Sequence, residues 1–154
     1  IVIVTLLEIT YHKFVSNRSK TCAISAKQPN GPNLSLWVGL NLLLTLLLAL
    51  NVVRNRFKAQ GDSGDPVTLE KAVRAHGNNT EYVPGILIGL GLMAMTGASA
   101  QTINILGGTL FVVRILHAYG IQQSKVPNIF GLVGNFGTWL TMLCVVTTLI
   151  MNGM

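Results

Sequence analysis

Residues 74–84 read RAHGNNTEYVP, and the next stretch, GILIGLGLMAM, has no polar side chain at all. Arg74, Asn78 and Glu81 are spaced four and three apart, so on a helix they share one face. His76 and Tyr82 fall off that face. A second polar group interrupts another apolar run. In FVVRILHAYG, Arg114 and His117 stand three apart and share a face of their own. Side chains of these types can hold one another's charge or bind a charged ligand. At membrane depth such groups are costly, and they face a bundle interior or a wet cavity. Glu81 is the last carboxylate in the sequence. It is therefore expected to face Arg114, directly or through a bound ligand. Pro84 removes a backbone donor one turn after Glu81, frees the carbonyl near Thr80, and is expected to bend the helix beside a polar pocket. Gly85, Gly89 and Gly91 would let a neighbouring helix approach closely.

A plainer reading stands beside this one. A Glu–Arg pair in a bundle can serve only to fix helix register. The asparagines 78 and 79 can be helix-to-helix hydrogen bonds, and His76 reads as a packing residue. Other chemistries are less well supplied. A haem between His76 and His117 is not excluded by depth, but there is no second histidine pair and no Cys-x-x-Cys-His. Metal-ligand density is too low for a metal site. No nucleophile elbow is present, and GLGLMAMTG follows no strand, so it is not a dinucleotide loop. Cys22 and Cys144 lie far apart and form neither a disulfide framework nor a metal motif.

The elements that carry these residues are long and apolar. Of 154 residues, 50% are hydrophobic and 10% charged, where a soluble domain carries about 25% charged residues. The mean hydropathy is +0.54. LSLWVGLNLLLTLLLALNVV, residues 34–53, has no charge and is about the 20 residues needed to cross a bilayer. Four apolar segments follow one another: 34–57, 69–95 with a polar front half, 102–122 and 127–151. They are continuous and leucine-rich rather than alternating, which favours helices over the strands of a membrane barrel. The sequence thus predicts an all-α integral membrane protein, a bundle of four transmembrane helices. KAQGDSGDPVT is a loop, Thr68 is a candidate N-cap for the second helix, and Pro127 a candidate first residue of the fourth.

The net charge of +6 fits anionic lipid headgroups and topology, and no basic run with interleaved aromatics suggests nucleic acid. Arg54, Arg56, Lys58, Lys71, Arg74 and Lys125 all flank one end of the predicted spans, and the turn at 96–101 has no cation. The positive-inside rule makes the charged end cytoplasmic. Residues 1–33 are set apart as an N-terminal extension before a membrane domain at 34–154. IVIVTLLEI is too short to span and is interrupted by Glu8. The extension reads as a cloning remnant, an over-extended gene start or an interfacial anchor. Its Lys13, Arg18, Lys20 and Lys27 run against the assigned topology.

RAHGNNTEYVP followed a helix later by RILHAYG resembles the MAPEG family, the membrane-associated proteins of eicosanoid and glutathione metabolism, and its small bacterial members in particular. The Arg-x-His-x-Asn-x-x-Glu pattern with a following Pro carries the resemblance, and VRNRF at 53–57 and GD in the first loop agree with it. The resemblance implies a homotrimer of four-helix bundles in the bacterial inner membrane, with glutathione bound as co-substrate between subunits near the cytoplasmic face. It implies that Arg54 meets a glutathione carboxylate. Arg74, Asn78 and Glu81 would hold the tripeptide, Glu81 through the ammonium group. Arg114 and His117 would complete the pocket. The implied activity is a glutathione-dependent transferase or peroxidase acting on hydrophobic electrophiles or lipid hydroperoxides. Catalytic relatives carry an Arg one turn into the fourth helix, where this chain has Ile129, with Phe130 at the neighbouring hydroxyl position. Where some relatives have a Tyr after the third-helix His, this chain has Ile121. No catalytic residue is therefore assigned. A non-catalytic lipid- or thiol-binding scaffold on the same fold is the alternative.

Overall fold

Each apolar segment forms one helix in the computed structural model, which describes residues 33–61, 63–123 and 127–153. The helices are α1 (Leu34–Gln60), α2 (Pro66–Met95), α3 (Ala100–Gln122) and α4 (Ile129–Gly153). The N-terminal extension, with Cys22 and its four cations, lies outside the described residues, as does Lys125.

Three of the helices, α1, α3 and α4, are long and apolar enough to cross a membrane. In α2 the charges come before its apolar end: Glu70, Lys71, Arg74 and Glu81 precede the apolar run 85–95. A 27-residue helix such as α1 extends about 40 Å at 1.5 Å per residue, beyond a hydrocarbon core of about 30 Å. Its last turns therefore reach the headgroup region, where Arg54, Arg56 and Lys58 are exposed.

The helix starts differ from the sequence expectations because side chains outside the apolar runs cap them. The N-cap of α2 is Asp65 and not Thr68. Asp65 Oδ1 accepts from Val67 N at 3.2 Å, and Oδ2 accepts from Thr68 N at 3.0 Å and from Thr68 Oγ1 at 2.7 Å. Pro66 occupies the first helical position, where its missing N–H costs nothing. Ser99 caps α3, with Oγ accepting from Thr102 N at 3.1 Å. Pro127 lies before α4 rather than in it, since Asn128 Oδ1 accepts from Gly131 N at 2.9 Å and sets the first turn. Gly97 takes a φ of 88° in the turn between α2 and α3, a conformation that favours glycine. α2 runs on as helix through Pro84.

α2 and α3 are the centre of the bundle. Each packs on α1 and on α4, and among the described residues α1 and α4 do not touch. Ile86, Leu90, Met93, Leu110 and Val145 form the main apolar core. Near the charged end Leu48, Ala75 and Ala118 join α1, α2 and α3. The α3–α4 approach is close because it is built on glycine. A Cβ on Gly134 would lie 2.5 Å from His117 N, and one on Gly120 would collide with Gly131. Of the three glycines expected to admit a neighbour in α2, Gly89 does so, under Val145, whereas Gly85 and Gly91 face open space.

A polar thread ties the helices together inside this apolar packing. Asn41 Nδ2 donates to Trp37 O at 2.9 Å, and Thr45 Oγ1 to Asn41 O at 2.9 Å. Asn79 Nδ2 of α2 donates to Thr45 Oγ1 at 2.8 Å, and Arg114 Nε of α3 to Asn79 Oδ1 at 3.1 Å. Asn41, Asn79 and Arg114 are each 0% exposed. Buried polar groups persist when they are hydrogen-bonded, and this thread supplies partners for Asn79, Arg114 and the Asn41 Nδ2, while Asn41 Oδ1 has none among the described residues.

Candidate ligand-binding site

α2 begins, α3 ends and α4 begins at the same end of the bundle, and a cavity of about 830 Å³ opens between them. That is within the roughly 300–1,000 Å³ of small-molecule sites. On α2 the lining residues include Glu70, Lys71, Arg74, Gly77, Asn78 and Glu81, at the three- and four-residue steps of one helix face. On α4 they are Gly131, Leu132 and Asn135, again one face, with Asn128 just before the helix. α3 contributes His117, Gly120 and Ile121.

The charged groups at the mouth are partly spent on each other. Arg74 donates from Nε and from Nη2 to Glu70 Oε1, both at 2.9 Å, and both side chains are exposed. Such a pair gives only about 0–1 kcal/mol, so a ligand can displace it at little cost. Lys71 Nζ donates to the Gln123 carbonyl at 2.9 Å and pins the end of α3 to α2. Glu81 has no hydrogen bond or ion pair among the described residues. Asn135 likewise has no side-chain partner among them.

His117 is 8% exposed, and its Nδ1 is 3.2 Å from Gly131 O. A carbonyl only accepts, so Nδ1 carries the hydrogen. In the neutral ring Nε2 is then an acceptor, and it has no partner among the described residues.

The sequence-predicted residues separate into three groups. Arg74, Asn78, Glu81 and His117 line the cavity together. Arg114 lies behind it and bonds only neutral oxygens: Asn78 Oδ1 at 2.9 Å, Asn79 Oδ1 at 3.1 Å and Thr138 Oγ1 at 3.5 Å. The expected direct pair with Glu81 does not form. Asn78 lies one turn nearer the mouth than Glu81 and takes the guanidinium instead. Arg54 stands exposed near the end of α1, outside the lining. Sequence reasoning missed Asn128, just before α4, and Asn135, seven residues further on. That two-turn spacing was the available signal.

Residues 34–152 match the family model described as the MAPEG family. The chain belongs to the MAPEG family. It is 32% identical over 115 residues to the inner membrane protein YecN of Escherichia coli (strain K12), an alignment covering 73% of this chain and 86% of that relative. The protein of the same name from E. coli strain CFT073 matches to the same extent. No solved structure matches. Family membership and the apolar helices together make this an integral membrane protein, and the cavity is built wholly from the part of the chain that matches the MAPEG model.

Proposed function

We propose that the cavity binds glutathione and that the protein uses it as co-substrate, transferring it to hydrophobic electrophiles or reducing lipid hydroperoxides with it. The observation that carries the reading is a cavity at the bundle end lined by a carboxylate, Glu81, that has no partner among the described residues. Glutathione has one ammonium group, two carboxylates and a thiol. The ammonium suits Glu81. The carboxylates suit Arg74 and Lys71, and arginine's fork binds both oxygens of a carboxylate. Neutral amides at Asn78 and Asn135 suit the peptide groups between. Arg54 belongs to this reading as a residue supplied by a neighbouring subunit of a homotrimer, whose exposed α1 end would close the cavity's open side. All four helices cross the membrane in this reading. The basic residues gather at the cavity's end, which supports a cytoplasmic mouth in a bacterial inner membrane.

A second reading, a lipid- or thiol-binding scaffold without turnover, is favoured by the head of α4. Ile129 is 66% exposed and Phe130 44% exposed, and α4 contains no cation. A thiol needs a nearby positive charge or a base to ionise readily at neutral pH. Thermal unfolding of the detergent-purified protein against reduced glutathione tests binding. A ligand at a hundred times its dissociation constant adds about 2.7 kcal/mol, so a saturable rise in Tm is expected. An unmoved Tm up to millimolar glutathione rejects the reading. Conjugation of a hydrophobic electrophile then separates the enzyme from the scaffold.

A further inference from the structure

Arg114 is absent from the cavity wall, yet it is bonded to a residue that forms it. A guanidinium has donors only, so the Asn78 atom 2.9 Å from Arg114 Nη2 is the side-chain oxygen. The two polar atoms of an amide diverge. With Oδ1 spent on Arg114, the Nδ2 donor is turned away from Arg114, and it has no partner among the described residues. Asn78 itself lines the cavity. Arg114 cannot easily release its hold, because it is 0% exposed and its Nε is fixed by Asn79, which Thr45 of α1 fixes in turn.

We infer that Arg114 is a positioning residue that sets the Asn78 amide with its Nδ2 donor toward the cavity, so that the site takes a carbonyl-type oxygen of its ligand at that point. The identity of the ligand rests on the glutathione reading, whereas the polarity of the amide does not. An acceptor-only side chain at position 78 would repel the same oxygen.

The test combines two substitutions, with reduced glutathione as the probe. Asn78→Asp keeps an acceptor for Arg114 and removes the donor that position 78 turns to the cavity. Its affinity for glutathione falls at least tenfold while its Tm stays at or above that of the native chain. Unchanged affinity overturns the inference. Arg114→Gln weakens binding in the native background but changes it less than twofold in the Asn78→Asp background. An equal loss in both backgrounds shows that Arg114 acts independently of Asn78 and overturns its positioning role. Arg114→Lys serves if the Gln variant does not fold. If the native chain itself does not respond to glutathione, the proposed function fails, and unliganded melting decides the inference. Asn78→Asp then melts at or above the native chain and Asn78→Leu clearly below it. Equal Tm values for the two variants overturn the Arg114–Asn78 arrangement.

Discussion

Of the two carboxylates on the cavity wall, Glu70 is held by Arg74, and Glu81 is unpaired among the described residues. Glu81→Gln keeps the side chain's size and removes only its charge. A hydrogen bond to a charged group is worth roughly 1.5–3 kcal/mol, so glutathione affinity should fall on the order of tenfold or more. The Tm without ligand should hardly move, since no bond of the fold is lost. Asn135→Leu makes the complementary case. Its amide bonds nothing among the described residues, so the variant should fold as well as the native chain yet bind glutathione more weakly, by titration calorimetry. A variant with full affinity would remove Asn135 from the site. The four residues Arg74, Asn78, Glu81 and His117 were legible in the sequence because polar residues at helical spacing in an apolar context have few places to go. Asn135 was not, since an amide in a helix that also carries threonines and Asn152 reads equally as a bond to a neighbouring helix. The partner of Arg114 was misread for a related reason. Charge suggested the nearest carboxylate, while depth along α2 selected the amide one turn away.

At the scale of the helix, what joins the cavity wall to the loop is the start of α2. The bonds from Thr68 and Val67, with some help from Lys71, hold the Asp65 carboxyl below its ordinary value of 3.8. A carboxyl lowered on folding contributes stability above its unfolded pKa and loses it as pH falls through the folded value. Native protein and Asp65→Ala should therefore differ in Tm at neutral pH, and the gap should close in acid, below about pH 4. A gap independent of pH would mean that the carboxylate is not the group that caps α2. The sequence located this helix but started it three residues late. The apolar run marks where burial starts, while the cap is chosen by a short contest among Asp65, Thr68 and the free N–H groups. The same contest moved the first helical residue of the last helix from Pro127 to Ile129, behind Asn128. The number of helices was plain from the apolar runs, because each run is too long to be anything else.

At the scale of the whole molecule, three helices meet the length and apolarity of a span and α2 does not, because its first half serves the cavity. Whether α2 crosses decides where its two ends lie. Leu92 and Met95 are exposed apolar residues near its far end, while Glu70 and Arg74 are exposed near its start. Such an arrangement suits a helix whose apolar half sits in lipid and whose polar half leans on the cavity. If α2 spans, the α1–α2 loop and the α2–α3 turn lie on opposite faces. Ser63 marks the first and Ala98 the second. In a background with both native cysteines replaced, Ser63→Cys and Ala98→Cys should differ in reach. In intact cells a membrane-impermeant thiol reagent should label Ala98→Cys, and Ser63→Cys only after permeabilisation. Labelling of both from outside would mean that α2 does not cross. The reverse pattern would put the cavity mouth on the outer face, away from the cytoplasmic glutathione that the proposed function needs.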